Sequence, residues 1–287
     1  MLFLEKIFDG WGQYFSSPVL LAELHSAFQH ICVYQTESHG KVLTLDGAVQ
    51  VTERDEFAYQ EMIVHVPMFT HGRVTSVLVI GGGDGGALRQ ILRHPGVERV
   101  TLVEIDAEVV RLSREHLPAL AGPSWDDPRL ELRIADAIDY VRAYSGEAYD
   151  VIIVDSTDPA GVGQVLFTEE FYQSCSRILG RKGLIVNQNG VPFMQHDEFV
   201  QGNARRKTAF AHVSNYVVAV PTYVGGLMAL GIASNADFVL QLDANRIRSS
   251  ANAIGLIGQT QYWTADVHVA AFALPPYMAD PHPSLRG

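Results

Sequence analysis

The chain has 287 residues, 47% of them apolar and 18% charged, with a formal net charge of −11. Length and balance fit one large globular domain, or a large and a small one, and exclude a disordered or fibrous chain. The acidic excess argues against nucleic acid and anionic membranes as partners and favours small cations at long range. No apolar run reaches the roughly 18–20 residues that span a bilayer, and Glu5 and Lys6 come too early for a secretory leader. Cys32 and Cys175 stand apart, with no CxxC and no Cys/His cluster. A reduced, cytoplasmic protein without a structural metal is the expectation.

Along the chain, residues 1 to about 70 alternate short apolar and polar runs at 29–34, 41–45 and 48–52. Turn signals at His39-Gly40 and Asp46-Gly47 separate them, which predicts antiparallel hairpins. A short helix follows from Asp55 to Pro67, with Phe57, Met62, Ile63 and Val66 roughly on one side. From about residue 74, strands alternate with helical segments. Strands are predicted at 75–80, 99–104, 130–134, 150–154, 184–188, 216–220 and 227–232, and helices at 86–94, 106–117, 137–144, 168–179 and 196–211. Uniformly apolar runs such as Val151-Ile152-Ile153-Val154 fit a parallel sheet buried on both faces. The last two strands read as an antiparallel closing hairpin. The expected fold is α/β: an N-terminal antiparallel β domain over 1–70, then a Rossmann-like, methyltransferase-type sheet of about seven strands over 71–287.

The first of these parallel strands runs straight into Gly81-Gly82-Gly83-Asp84-Gly85-Gly86. A strand that breaks into glycines and then opens a helix makes room for a nucleotide. Asp84 is the unusual residue, because an anion in that turn repels phosphate and carboxylate and attracts an amine. The second strand ends at Glu104, about 20 residues on, where one carboxylate can accept from both ribose hydroxyls. The third ends at Asp136, suited to an adenine amino group, and the fourth at Asp155-Ser156-Thr157-Asp158-Pro159. Each acid alone has a structural explanation: Asp136 could cap the helix opening at Ala137, and Asp158-Pro159 could be a plain turn. Regular placement at four successive strand ends is not capping. Carboxylates gathered in one site repel unless cations neutralise them, and no metal-ligand spacing accompanies them. A ligand with several amines meets the need. A methyltransferase would share the loop and the ribose acid, but it must hold the cofactor's own carboxylate, which Asp84 would repel.

The segments Leu45-Asp46-Gly47 through Glu61-Met62, Ile80-Gly81-Gly82-Gly83-Asp84-Gly85-Gly86, Val103-Glu104-Ile105-Asp106, Asp155-Ser156-Thr157-Asp158-Pro159 and Pro221-Thr222-Tyr223 resemble the signatures of the spermidine synthases, the polyamine aminopropyltransferase family. The resemblance runs from Gly12-Gln13-Tyr14-Phe15 to Leu274-Pro275, and Gln188-Asn189-Gly190 resembles bacterial members. It implies transfer of an aminopropyl group from decarboxylated S-adenosylmethionine, a co-substrate and not a cofactor, to putrescine, with release of 5′-methylthioadenosine. It further implies Asp155 as general base with Tyr59 and a water, Asp158 as the residue that positions the attacking amine, and Gln60 with Tyr223 on the rest of the diamine. Asp84 would fix the aminopropyl amine. Gly81, Gly82 and Gly83 would admit the nucleoside, Glu104 would bind its ribose, Asp136 and Ala137 its adenine, and Gln29 would close over it. Val162 stands in the gate segment.

Some positions depart from the family pattern. Ala137 replaces a usual glycine, Gly161-Val162-Gly163 lacks the proline of the gate, and Gln60 replaces a histidine common in bacterial members. Acceptor preference, for putrescine, cadaverine or a longer amine, is left open by these changes. Two other classes stay in view: a small-amine methyltransferase, disfavoured by Asp84, and a non-catalytic polyamine or nucleoside sensor, disfavoured by retention of Asp155, Asp158, Tyr59 and Tyr223. His65 reads as a packed core histidine, and Arg205-Arg206-Lys207 as a solvated helix face. The hairpin domain is too thin to bury both its faces, so packing against another subunit is expected, and the resemblance implies a homodimer or homotetramer.

Overall fold

The computed structural model describes residues 2–157, 161–237 and 242–278, apart from the side chains of residues 161, 162 and 164. The N-terminal region forms two antiparallel sheets. Strands β1 (Leu2–Phe8) and β2 (Trp11–Ser16) pair as a hairpin, and β3 (Val19–His25), β4 (His30–Thr36), β5 (Gly40–Leu45) and β6 (Ala48–Thr52) form a four-stranded meander. Ile31, Val33, Leu43 and Val51 turn one face of the meander inward. Only the last three strands were legible in the sequence. In β1 to β3 most side chains are exposed, so no buried stripe marks their period.

Helix α1 (Glu56–His71) follows and runs four residues beyond the predicted stop at Pro67. It is also not amphipathic: residues from Glu56 to Thr70, other than Phe57, are buried. Proline removes one helical N–H and normally ends a helix, but burial on all sides holds α1 in register. The helix ends at Gly72, whose φ of 85° lets its N–H reach the Met68 carbonyl at 2.9 Å.

The larger region alternates β7 (Ser76–Gly81), α2 (Gly86–Leu92), β8 (Arg99–Glu104), α3 (Ala107–His116), α4 (Pro118–Ala121), β9 (Leu130–Ile134), α5 (Ala137–Ala143), β10 (Tyr149–Asp155), α6 (Glu169–Ile178), β11 (Leu179–Gln188), α7 (His196–Lys207), β12 (His212–Ala219), β13 (Leu227–Ser234), α8 (Ala244–Ala253) and α9 (Ala265–Ala270). Seven strands make one sheet in the order β12-β13-β11-β10-β7-β8-β9. The five from β7 to β11 are mutually parallel, and β13 and β12 add an antiparallel edge. This is the expected seven-stranded α/β sheet. Strand order reverses between β7 and β10, so the crevice at their carboxyl ends is the topological switch point where such sheets bind ligands.

Two buried polar contacts fix the frame. Glu61 on α1 accepts from the backbone N–H groups of Gln261, Tyr262 and Trp263 at 2.8–2.9 Å, tying the C-terminal segment to the central helix. Arg206 corrects the expectation of a solvated face: it is fully buried. Its guanidinium donates to Asn187 at 2.8 Å and to Asn215 at 3.1 Å, and also to Asn203. Gly231 leaves the space for it, since a Cβ there would collide with the guanidinium. A charge run gives no hint that its middle member turns inward onto asparagines of three different elements.

Glu61→Ala leaves three backbone donors without their acceptor. It is expected to lower folding stability by about 3 kcal/mol, read as a lower urea midpoint with an unchanged slope.

Candidate active site

The carboxyl ends of the parallel strands open into a cavity of about 730 Å³, large enough for a nucleoside and a short chain. Its floor is Gly81 to Asp84 after β7, Glu104 and Ile105 at the end of β8, Ala135 to Ala137 after β9, Asp155 to Thr157 at the end of β10, and Gln188 on β11. Tyr59 and Gln60 on the first turns of α1 form one wall, and Thr222 and Tyr223 from the β12–β13 connection another. The N-terminal sheets contribute Gln29 and Gln50. Gly163, Val165 and Leu166, from the 3-10 helix at Gly161–Phe167, complete the rim. The cavity therefore gathers Tyr59, Gln60, Asp84, Glu104, Asp136, Ala137, Asp155, Tyr223, Gln29 and the three glycines of the sequence reading. Asp158 lies outside the described residues, and only the backbone of Val162 is described.

Close backbone approach explains the glycines. Gly81 pairs with Asp155 across β7 and β10, and the Gly82 N–H donates to the Asp155 carbonyl at 2.8 Å. A side chain at Gly81, which has a φ of 77°, would strike that carbonyl. A Cβ at Gly83 would lie 2.9 Å from Glu104 Oε2. The loop thus brings the ends of β7, β8 and β10 together with nothing between them.

Asp84 has a partner on each oxygen. Its Oδ1 accepts from the Gly86 N–H at 2.7 Å, the first turn of α2, while Gln60 Nε2 approaches Oδ2 at 3.2 Å. That contact leaves Gln60 Oε1 buried without a partner, an acceptor ready for an N–H donor. Tyr223 donates to the Gln50 carbonyl at 2.8 Å and sets its ring edge-on to Tyr59, 5.8 Å between centroids. The Tyr59 hydroxyl interacts with Asp155 and favours its ionised form. Glu104 Oε1 accepts from the Asp106 N–H at 2.9 Å. Gln29 lies in the turn before β4, not on the strand, and donates to Asp106 Oδ2 at 3.0 Å. Asp136 caps α5 through the Ile138 N–H at 2.7 Å and also lines the cavity, so its two readings are compatible.

The electrostatics follow from crowding. Burial raises the Asp155 carboxyl to about 7, with a further push from Asp84 and Glu104 and only the Tyr59 hydroxyl opposing. Burial likewise raises Glu104 to about 7 despite three backbone N–H donors, and it raises Asp84. The cation that acts on Asp84 is Arg89, whose guanidinium is bound to Glu56 at 2.6 Å. Burial pushes the Tyr59 phenol far above its ordinary value, so it acts only as a neutral donor.

Sequence reasoning missed Gln50, Gln188, Thr222, Gln195 and Glu198, which also line the cavity. Gln188 was accessible in principle, since it ends the strand next to β10. Gln50 comes from the hairpin region, where nothing in the sequence says which turn faces the sheet. Asp55 carries Thr222 into place, accepting from its N–H at 2.9 Å and its hydroxyl at 2.8 Å.

Fold and cavity together define an α/β enzyme with a nucleoside-type site lined by anions. The family model described as the spermine/spermidine synthase domain matches residues 56–243, and that of the spermidine synthase tetramerisation domain matches residues 2–53. A polyamine aminopropyltransferase of Pectobacterium carotovorum is 46% identical over 277 residues, 96% of each chain. Polyamine aminopropyltransferase 1 of Pseudomonas aeruginosa is 45% identical, covering 96% of this chain and 95% of its own. A solved spermidine synthase in complex with the transition-state analogue AdoDATO superposes with a TM-score of 0.89 at 37% identity, over 96% of this chain and 92% of its own. The spermidine synthase of Thermotoga maritima superposes at 0.86 with 34% identity, over 96% and 91%. The chain belongs to the spermine/spermidine synthase family and is an aminopropyl-transferring enzyme.

A carboxyl held above its unfolded value stays protonated in the folded state where the unfolded chain has already ionised. Folding stability of the free protein therefore falls as pH rises from about 4 to about 7 and stays lowered above that. Asp84→Asn relieves the repulsion and is expected to raise the melting temperature of the ligand-free protein at pH 8 by a few degrees, and to flatten that pH dependence.

Proposed function

We propose that the chain transfers the aminopropyl group of decarboxylated S-adenosylmethionine to putrescine, giving spermidine and 5′-methylthioadenosine, with the donor as co-substrate and no bound cofactor. The observation that carries this reading is the pair Asp84 and Asp155 on adjacent strand ends of one cavity, raised by burial and facing no free protein cation among the described residues. A sulfonium with a primary amine, beside a diamine, supplies the missing positive charge.

In this reading Glu104 takes the ribose hydroxyls, Asp136 and Ala137 face the adenine, and Gln29 closes over the nucleoside from the N-terminal sheet. Gly81, Gly82 and Gly83 let the donor lie against the backbone. Asp84 and the unpartnered Gln60 Oε1 hold the aminopropyl ammonium, which orients the chain so that its sulfur-bound carbon faces Asp155. Putrescine arrives as a dication, and an ammonium is no nucleophile. Asp155, ionised once cations fill the cavity, takes one proton from the attacking nitrogen, with Tyr59 holding its carboxylate. The freed lone pair attacks the sulfur-bound carbon, the carbon–sulfur bond breaks, and its electrons stay on sulfur as the neutral thioether. Tyr223 flanks the rest of the diamine. Asp158 is assigned to position the attacking amine and Val162 to the gate, both on their motif alone. Alignment of two reactants and removal of one proton account for most of the acceleration, because the sulfonium is already a good leaving group.

The exposed apolar side chains Leu2, Leu4, Tyr14 and Val19 on the first three strands, with the tetramerisation-domain match, support assembly as a homo-oligomer through the N-terminal region. Among the described residues no helix is long and apolar enough to cross a membrane, and a cytoplasmic location is the setting proposed for the enzyme.

Asp155→Asn is expected to lower kcat by ~10²–10⁴-fold, the usual yield of a positioned base, while 5′-methylthioadenosine binding changes less than about threefold. The wild-type kcat/KM should rise with pH through about 7 and then level; a flat profile there removes Asp155 as the base. Asp84→Asn is expected to weaken the decarboxylated donor about tenfold or more, as loss of a charged hydrogen bond implies, and to leave 5′-methylthioadenosine, which lacks the amine, nearly unaffected. Equal losses for the two ligands sink the assignment of Asp84.

A further inference from the structure

Linear spacing points to no metal, but cross-strand pairing in the N-terminal sheet assembles a set of donors that it hides. Strands β3 and β4 pair with Glu23 opposite Cys32 and His25 opposite His30. Side chains two apart share a face, so all four project from one side. The opposite side, with Ile31, Val33, Ala22 and Leu24, packs toward Val109 and Leu112 of α3. On the outer side His30 Nε2 lies 3.0 Å from Glu23 Oε1 and 3.3 Å from Cys32 Sγ. One donor atom from each of the three residues falls within 4.8 Å of the others. His25 stacks on the His30 ring with centroids 4.0 Å apart.

We propose that Glu23, His30 and Cys32 bind a divalent cation of the zinc class. Thiolate, imidazole and carboxylate together select a borderline-soft, four-coordinate ion over magnesium or calcium. Zinc bonds of about 2.0–2.3 Å in a tetrahedron place neighbouring donor atoms roughly 3.3–3.6 Å apart. The two short contacts need to open by only a few tenths of an ångström, and Glu23, half-exposed at the sheet surface, is free to adjust. The fourth position is left for water or for the adjacent His25. Binding breaks the Cys32 S–H bond, forms a metal–sulfur bond and releases one proton to solvent. The His30 ring keeps its proton on Nδ1, and nothing is oxidised. Burial and the nearby Glu23 anion hold the Cys32 thiol protonated; the cation opposes both effects.

The position gives the ion a role beyond the sheet. His25 and His30 flank the turn at residues 26–29, whose Ser26 Oγ and Gln29 Nε2 both donate to Asp106 Oδ2, at 2.6 and 3.0 Å. Asp106 in turn donates its N–H to Glu104. A cation joining Glu23 on one strand to His30 and Cys32 on the other staples the base of that turn and holds it over the cavity. The cation site itself is independent of the proposed reaction; only this coupling rests on it.

The full-length protein, stripped with chelator, is titrated with Zn²⁺ by calorimetry and with Co²⁺ by absorption. The expected result is one ion per chain and a near-ultraviolet thiolate-to-cobalt band. Cys32→Ser should abolish the band, Cys175→Ser should leave it, and Glu23→Gln, a surface change that spares the fold, should weaken Zn²⁺ by ~10–100-fold. Absence of saturable uptake at one ion per chain overturns the proposal. So does a cobalt spectrum without the thiolate band, or a band that survives Cys32→Ser.

Discussion

The side-by-side pairing of β7 and β10 sets the terms for everything else in the cavity. It is fixed by backbone alone, through the Gly81–Asp155 register and the Gly82 N–H on the Asp155 carbonyl, and it forces Asp84 and Asp155 into each other's field. Two carboxylates so placed, with Glu104 nearby, are a standing cost to the folded chain. No described protein cation removes it, because Arg89 is already bound to Glu56. Proteins keep such repulsion where a ligand relieves it. Family membership and the chemistry of a polycationic transfer reaction agree with that physical demand.

Holding anions together requires a stiff frame, and the elements packed on the sheet supply one. Helix α1 is buried nearly all round and carries Tyr59 and Gln60 into the cavity at its first turns. One residue later, Glu61 binds three successive backbone N–H groups of the C-terminal segment. The same turn of helix therefore both anchors the scaffold and presents the groups that touch the carboxylates. Across the sheet, Arg206 locks α7 to β11 and β12 through three asparagines. The roof is built differently: it hangs on the turn at 26–29 and on Tyr223 donating to Gln50, contacts that cross between the N-terminal sheets and the rest of the chain.

What the sequence disclosed depended on whether a segment's surroundings left a mark on its own residues. The parallel strands were readable because burial on both faces demands unbroken apolar runs, as in Val151 to Val154. Their carboxyl ends were readable because the acids follow directly. Strands β1 to β3 left little mark, since much of their surface is exposed within a single chain and their apolar side chains mimic a surface scatter. Helix α1 was found but misjudged, because a helix buried on every side has no polar face to set its period. Residues brought in by tertiary pairing were invisible: Gln50 over the cavity, Arg206 turned inward, and the Glu23–His30–Cys32 cluster, whose members meet only across a hairpin. Gln60 and Tyr223 both line the cavity as their motifs led one to expect, but their own partners, Asp84 for Gln60 and the Gln50 carbonyl for Tyr223, could not be read from the sequence.

The central claim is that the cavity stores unneutralised acidity that a cationic ligand releases. Proton exchange on binding reads this directly, by calorimetry near pH 7 in buffers of different ionisation enthalpy. Decarboxylated S-adenosylmethionine is expected to drive net proton release, as carboxyls held near 7 ionise beside its positive charges. 5′-Methylthioadenosine, with the same nucleoside and no charge, is expected to release almost none. Equal proton release by the two ligands, or none with the cation, would contradict the claim.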